Sequence, residues 1–425
     1  MQKTSLFGVD QWDNASTQLP FILGSQNAEF RHAAADRGWI SHSRSLNTPF
    51  TQRKEQGLSF RTAIEPNKDL RIQLDASLKK GTNYQELFRI DTINGKKYVS
   101  DNPVRNGTHS VSTITIATSF GDKEAGSGDP NGSKAFNRFV ENRHTLSERL
   151  GGRSLNSQDV LIPAFLAAYK GSDAGSLNTS PMPNIPLPNW RIDFTGLMKI
   201  SALKKRFEAI TLSHAYTSVY NVGGYTSSLL YGSNYVKPGN NFLDTPDPTQ
   251  KSTSTGEFIP VYIISDVNIR EAFSPLLGIN IRTKGKWNYR IEYRRARNLS
   301  LSLTNAQIRE ENNQDFVFGV GFVKAGVKIP KFLTKGQTKT LKNELNVRLD
   351  LTIRDTKGVQ RQIDQTSTVT TGSLNWQIKP TITYNLSTRV SLQFYFERTY
   401  TNPKVSSSFK RTTTSAGIQL RFTLS

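Results

Sequence analysis

The sequence of 425 residues contains no cysteine, which excludes disulfides, thiolate nucleophiles and cysteine-ligated metals together. A cysteine-free chain fits an oxidising envelope compartment. Long apolar runs are also missing: hydrophobic residues make up 36% of the chain and mean hydropathy is -0.50. No stretch approaches the ~18–20 consecutive apolar residues of a spanning helix, so a helical membrane protein is excluded. A β-barrel is not, because a spanning strand needs only alternate residues apolar. The residues after Met1 lack the basic and apolar segments of a secretory leader. An envelope protein beginning this way is expected to be incomplete at its N-terminus.

Acidic residues are scarce, 34 against 55 basic ones, for a formal charge of +21. Such an excess fits a polyanionic partner, nucleic acid or membrane phosphates, or a solvated basic surface or lumen. The charges are spread along the chain, with one dense cluster at Lys204, Lys205 and Arg206 and a looser one at Arg294, Arg295 and Arg297. That spread favours the solvated surface. In Trp287–Arg295 the aromatics alternate with the basic residues, whereas a base-stacking platform would put both on one face, so no nucleic-acid partner is expected.

Catalytic signatures are absent as well. The histidines (His32, His42, His109, His144, His214) show no metal-ligand spacing, and there is neither a GxSxG elbow nor a phosphate-binding glycine loop. Glu310-Glu311 reads as a solvated pair in a polar turn. Gly223-Gly224, Gly319 and Gly321 read as strand glycines that permit bends or close packing. No catalytic, cofactor-binding or metal-binding residue is assigned, and no enzyme is expected.

What is present is period-two alternation. Leu70, Ile72, Leu74, Ala76 and Leu78 alternate with Arg71, Gln73, Asp75, Ser77 and Lys79. Leu345, Val347, Leu349, Leu351 and Ile353 alternate with Asn346, Arg348, Asp350, Thr352 and Arg354. Val390, Leu392, Phe394 and Phe396 follow the same rule, as do Ile418, Leu420, Phe422 and Leu424 in the last strand. Successive strand side chains point to opposite faces, so each run has one apolar and one polar face. A soluble sandwich has the same pattern. Runs of about 9–12 residues, and aromatics near their ends (Trp287, Trp376, Tyr384, Phe422), favour a transmembrane wall of about 14–16 strands. The fold expected is therefore all-β, an antiparallel transmembrane β-barrel wall with a short α-helical insert. Its lumen-facing residues are predicted to be Arg71, Gln73, Asp75, Arg348, Asp350, Arg354, Gln419 and Arg421. Its lipid-facing residues are predicted to be Leu74, Leu349, Leu351, Phe394, Phe396, Leu420 and Phe422.

Three segments result: 1–132, barrel strands after an irregular start; 133–188, a helical insert and proline-rich link; 189–425, the C-terminal strands. Thr283–Lys286 and Asn94-Gly95 read as tight turns, and Gly121–Lys134 and Tyr231–Gly256 as long polar links. In the insert Phe136, Phe139, Val140, Arg143, Leu146 and Leu150 recur at helical spacing after Ser133, and Gly151-Gly152 ends that helix. Ser157 could cap a second helix over Gln158–Tyr169, with Pro163 in an early turn. Such an insert between strands could be a lumen plug, a periplasmic cap or a decorated long loop.

Several stretches resemble the SprA/Sov family, the outer-membrane translocon of the type IX secretion system of Bacteroidetes. Near the C-terminus these are Leu345–Asp355 (LNVRLDLTIRD), Arg361–Gln365 (RQIDQ), Ser391–Pro403 (SLQFYFERTYTNP) and Thr414–Leu424 (TSAGIQLRFTL). Earlier ones are Phe60–Ser77, Phe139–Gly151, Val160–Gly171, Pro186–Leu197 and Ile210–Tyr225, in family order. The resemblance implies a very large outer-membrane barrel passing folded cargo proteins with a type IX C-terminal signal domain. It also implies a PorV-like shuttle protein, a periplasmic plug and a link to gliding motility. Family members are several times longer and begin with a signal peptide. The chain is thus expected to be a C-terminal portion: a fragment, a truncated gene or half of a split barrel. Alternatives from other classes are an outer-membrane receptor or adhesin barrel, and a soluble basic β-protein that binds polyanions.

Overall fold

The computed structural model describes residues 30–43, 45, 47–91, 97–120, 129, 131–228, 251–252, 254, 256–328, 340–341, 343–387 and 389–422. The turn expected at Asn94-Gly95, the strand end at Leu424 and most of the two long polar links lie outside these residues.

Alternating branched or aromatic side chains and polar ones suit a pleated sheet with two unlike faces, and such a sheet forms. Its strands are β1 (Phe50–Asn67), β2 (Leu70–Asp91), β3 (Lys97–Ser112), β4 (Asn189–Phe194), β5 (Phe207–Ser227), β6 (Tyr262–Ile264), β7 (Asp266–Thr283), β8 (Trp287–Ser302) and β9 (Gln307–Lys324). A separate pair, β10 (Val327–Lys328) and β11 (Thr340–Leu341), precedes β12 (Leu345–Gln362), β13 (Thr368–Asn385), β14 (Val390–Pro403) and β15 (Arg411–Phe422). Thirteen of these strands form one mostly meandering antiparallel sheet along an eleven-strand path, β1-β2-β3-β5-β7-β8-β9-β12-β13-β14-β15. The segments before and after the insert therefore share a single sheet. No ladder joins β1 to β15 among the described residues.

The long strands run from 14 to 22 residues, beyond the 9–12 expected. In β9 and β12 the physical reason is that the strand continues past its apolar stretch into a part where both faces carry mostly polar residues, whereas β7 and β8 carry further apolar-face residues there (Val267, Ile269, Leu299, Leu301). In β9 and β12 the alternation therefore fades although the ladder does not. The tight turn at Thr283–Lys286 forms, closed by the Lys286 N–H donating to the Thr283 carbonyl at 3.0 Å.

The helices are α1 (Phe30–Asp36), α2 (Lys134–Arg149), α3 (Gln158–Lys170) and α4 (Ser201–Arg206). Ser133 caps α2, its hydroxyl accepting from the Phe136 N–H at 3.1 Å. Gly151 and Gly152 follow at φ 77° and 78°, a conformation glycine adopts without strain. The cap expected at Ser157 is not made by its side chain. Its carbonyl instead accepts from Val160 and Leu161 at 3.0 and 2.9 Å, opening α3 through the backbone. Ten consecutive α3 residues, Val160 to Tyr169, are buried, so this helix is enclosed between α2 and the sheet.

The insert does not lie between two wall strands, as expected, but within one. β3 pairs with β2 as far as Leu78–Val111, and β4 resumes the same lane at Asp75–Asn189. Both segments also pair with β5, through Ser112–Val219 and Trp190–Tyr216. The two ends of the insert are stapled where they leave and re-enter the sheet. The Leu187 N–H donates to the Ser112 carbonyl at 2.9 Å, and the Ser112 hydroxyl donates to the Leu187 carbonyl at 2.7 Å.

Candidate functional site

The register of the ladders, not any pocket, builds the functional surface. Side chains directly opposite in a ladder share a face. Arg71, Gln73 and Asp75 of β2 lie opposite Asp193, Arg191 and Asn189. Arg348, Asp350 and Arg354 of β12 lie opposite Gly321, Gly319 and Asp315, and Gln419 and Arg421 of β15 opposite Gln393 and Ser391. Strand to strand, all eight residues expected to face a lumen fall on the polar face. The seven expected to face lipid fall on the other, where Leu349 meets Val320 and Pro380, Leu351 meets Phe318, Phe394 meets Ile418 and Leu420 meets Leu392.

The polar face is knitted by ion pairs within and between strands. Arg348 Nε lies 2.7 Å from Asp350, and Arg354 Nη2 2.8 Å from Asp315. Glu292 lies between Arg290 at 2.6 Å and Arg294 at 2.8 Å. Alternation along one strand does not name such partners, although that of Trp287, Tyr289, Ile291 and Tyr293 already placed Arg290 and Arg294 on this face. Gly319 and Gly321 floor a groove of about 440 Å³ here. A Cβ on Gly319 would come 3.1 Å from Asp350 Oδ1, so a side chain at this position would push the Asp350 carboxylate aside by a few tenths of an ångström.

The apolar face carries a band from Leu345 to Ile353 on β12, and its neighbours carry bands of similar height. Aromatic residues border it at both ends. Trp287 and Phe322 (ring centroids 4.8 Å apart) stand at one end with Tyr384; Tyr293, Phe316, Trp376 and Tyr400 stand at the other. Among the described residues nothing covers it: Phe394 is 43%, Leu420 47% and Phe422 62% exposed.

Beyond the second aromatic row, still on this face, the insert packs down. Val111, Tyr220, Val222, Ile269, Leu299 and Leu301 continue the apolar-face positions and form one core with Phe139, Leu161 and Phe165 of the helices. A buried polar network fastens the chain that enters the insert. Glu271 accepts from Tyr216 (2.8 Å), Thr115 (2.7 Å) and Ser119 (2.6 Å) and pairs with Arg297 at 3.0 Å; Arg297 in turn donates to the Thr118 carbonyl at 2.8 Å. Glu310, expected in a solvated turn, is instead buried in β9 and paired with Arg361 at 2.5 Å. A second carboxylate on the strand next to that of Arg297 is what this dense cationic patch requires, and strand pairing alone could reveal it.

At the exit of the insert, His109 Nε2 lies 2.9 Å from the Pro183 carbonyl and Tyr220 donates to Pro181 at 2.9 Å. Burial holds the His109 imidazole below its ordinary pKa, outweighing that carbonyl, and the nearby Lys80 adds to the effect. Burial also raises the carboxyl of Asp159, against the pull of its partner Arg153. Among the described residues no group of three or more potential ligands is placed to hold a metal ion.

No protein-family model matches the chain, and no curated protein matches it. Among solved structures, OmpT, an outer membrane protein of Vibrio cholerae, aligns in its trimer form over 88% of this chain and 99% of its own, at 11% identity and a TM-score of 0.21. A second structure of the same protein aligns over 88% and 96%, at 9% identity and the same TM-score. A likeness at that score assigns no activity to this chain.

Proposed function

We propose that this chain is wall, and not catalyst: the C-terminal part of a protein-conducting channel in the outer membrane of a Gram-negative bacterium, exporting folded cargo by type IX secretion. The observation that carries the membrane part is the uncovered apolar band, kept in register across the sheet and bordered by two aromatic rows. Its height of roughly nine residues is what a tilted strand needs to cross a bilayer. An exposed apolar surface of this extent in water would drive aggregation; against lipid it is the stable arrangement. The apolar face then meets lipid, the polar face lines an aqueous lumen, and the insert sits outside the wall beyond the bilayer.

The secretion part is supported by the resemblance of Leu345–Asp355, Ser391–Pro403 and the earlier stretches to the SprA/Sov translocon. Under this reading the wall is a passive conduit. Its Arg, Asp and Gln residues keep the lumen hydrated, and the energy for transport comes from other components. The partners are cargo with a type IX signal domain, a PorV-like shuttle and a periplasmic plug, and gliding motility depends on what is exported.

Leu349→Arg, in the middle of the band, is expected to cost about 2–4 kcal/mol of wall stability in a bilayer, and Arg348→Leu far less. Urea titration of the chain in vesicles measures both. Equal tolerance of the two substitutions would overturn the lipid-facing assignment. Cargo retained inside cells lacking this chain, with nutrient uptake intact, is the result expected for a secretion channel; impaired uptake with normal export would overturn it.

A further inference from the structure

The end of the wall opposite the insert is ringed by cations. Past the aromatic row of Trp287, Phe322 and Tyr384, Lys324 stands opposite Leu345, one step beyond Phe322 on the apolar face. Pairing of Phe207 with Thr283 brings α4 beside the β7–β8 turn, where the Lys284 N–H donates to the Arg206 carbonyl at 3.4 Å. Lys204, Lys205 and Arg206 of α4, Lys284 and Lys286 of the turn, and Lys324 are all exposed. The carboxylates at this end are engaged by other cations. Glu65 lies 3.7 Å from Arg71, Glu208 lies 3.0 Å from Arg282, and Asp69 pairs with Lys199. Glu344 alone is left in the described connections here, and it is exposed. The other residues that the chain joins to this end, 329–339, 342, 388 and 423–425, contain four further lysines and no aspartate or glutamate. They add to the surplus of positive charge. Apolar side chains are exposed among the cations: Ile200, which precedes α4, is 50% and Trp287 41% exposed.

We propose that this rim seats on the headgroups of anionic phospholipids, which its cations gather in the leaflet at that end of the wall. The proposal rests on the apolar band being lipid-facing. With the band in a bilayer, Trp287, Phe322 and Tyr384 lie at the interface and the six cations at the height of the phosphates. Basic side chains on flexible stems are attracted there by an anionic surface, each contributing separately, and need no pocket. The exposed Ile200 and Trp287 favour lipid over the acidic face of a protein, because a membrane interface takes apolar and basic side chains together. The two longest connections, β3 to β4 and β5 to β6, leave the sheet at the other end, as they do on the outer side of membrane barrels. The rim therefore meets the inner leaflet, whose anionic lipids are phospholipids.

A single reporter tests this, because the chain has no native cysteine. Gly285 lies at the β7–β8 turn, and a Cβ there would come no nearer than 3.6 Å to a neighbour, so Gly285→Cys can carry a fluorophore without displacing the rim. The labelled full chain is inserted into phosphatidylcholine vesicles that hold the same small fraction of spin-labelled phosphatidylglycerol or spin-labelled phosphatidylcholine. Quenching by the anionic lipid is expected to be about threefold the stronger. The ratio should fall toward unity at ~1 M salt and in the Lys204→Gln/Lys205→Gln/Lys284→Gln/Lys286→Gln variant. Equal quenching by the two lipids at low salt would overturn the proposal and leave the cations for another partner, such as an acidic protein. A preference that survives the four substitutions would overturn the assignment to these side chains. Protease protection of the strands is read on the same vesicles. A protected chain quenched equally refutes the rim alone, whereas an unprotected chain refutes the membrane wall and the rim together.

Discussion

Glu271 and Arg297 are each almost wholly buried and each other's ion-pair partner. Removing one member of a buried pair leaves the other charge without compensation, which typically costs about 3–5 kcal/mol, whereas replacing both by apolar residues costs much less. Glu271→Ala is therefore expected to lower the urea midpoint sharply, and Glu271→Met with Arg297→Leu to recover most of the loss. His109 allows a pH prediction at the same scale. With Nε2 held at the Pro183 carbonyl, Nδ1 is buried without a partner, so a second proton would have no acceptor. The folded value therefore lies below the ordinary 6.5, and between the two the unfolded chain holds the extra proton. Stability from this group is complete above the ordinary value and declines as pH falls through it. Protease resistance of the insert should drop between about pH 7 and pH 5, and His109→Gln should flatten that dependence.

At the scale of elements, the register of β3 and β4 makes a specific prediction. Thr113 already donates its N–H to the Ser218 carbonyl at 2.9 Å, continuing the β3–β5 ladder by one residue. Joining Thr113 directly to Asn189 would set Asn189 opposite Asp75 and Trp190 opposite Tyr216, the pairings both have now. Deletion of residues 114–188 should therefore leave a continuous strand and a wall that still enters vesicles. It should also uncover Tyr220, Ile269, Leu299 and Leu301 and make the protein aggregate when detergent is withdrawn. Loss of insertion by this variant would show that the insert is needed to form the wall. Within the insert, Phe165→Ala empties the middle of an enclosed helix and should cost about 3–5 kcal/mol, read from the same urea titration.

For the whole molecule, the decisive feature is the parity of the path. Ten successive antiparallel pairings leave β15 running in the same direction as β1. Closing these eleven lanes on themselves would require a parallel pair, whereas bacterial barrels of one chain have an even number of antiparallel strands. In lipid the outer edges of β1 and β15 must each meet a further strand, since open edges are not tolerated there. The absence of native cysteine makes this testable without background. Cysteine pairs scanned along Gly57–Ser59 and Thr413–Ser415 are expected to form no disulfide within one chain in vesicles. Efficient intramolecular oxidation of any pair would mean that the eleven lanes close.

Which residues share a face was legible in the sequence, because a strand's side-chain period is two and the assignment needs only neighbours along the chain. Arg348 and Leu349 were separated that way, as were Gln419 and Leu420, and α2 was legible from the spacing that begins after Ser133 and from the Gly151-Gly152 stop. The strand lengths were not, because alternation marks a strand only where one face is apolar. Nor was Glu310, whose partner Arg361 is a ladder neighbour far along the chain. The sequence by itself determined a two-faced sheet with a helical insert. Only the tertiary structure decided that β3 and β4 are one strand, that the insert packs on the apolar side of the wall, and that Arg206 and Lys284 stand side by side at one end of it. Each of those depends on register between distant segments, which pairing sets and local pattern does not contain.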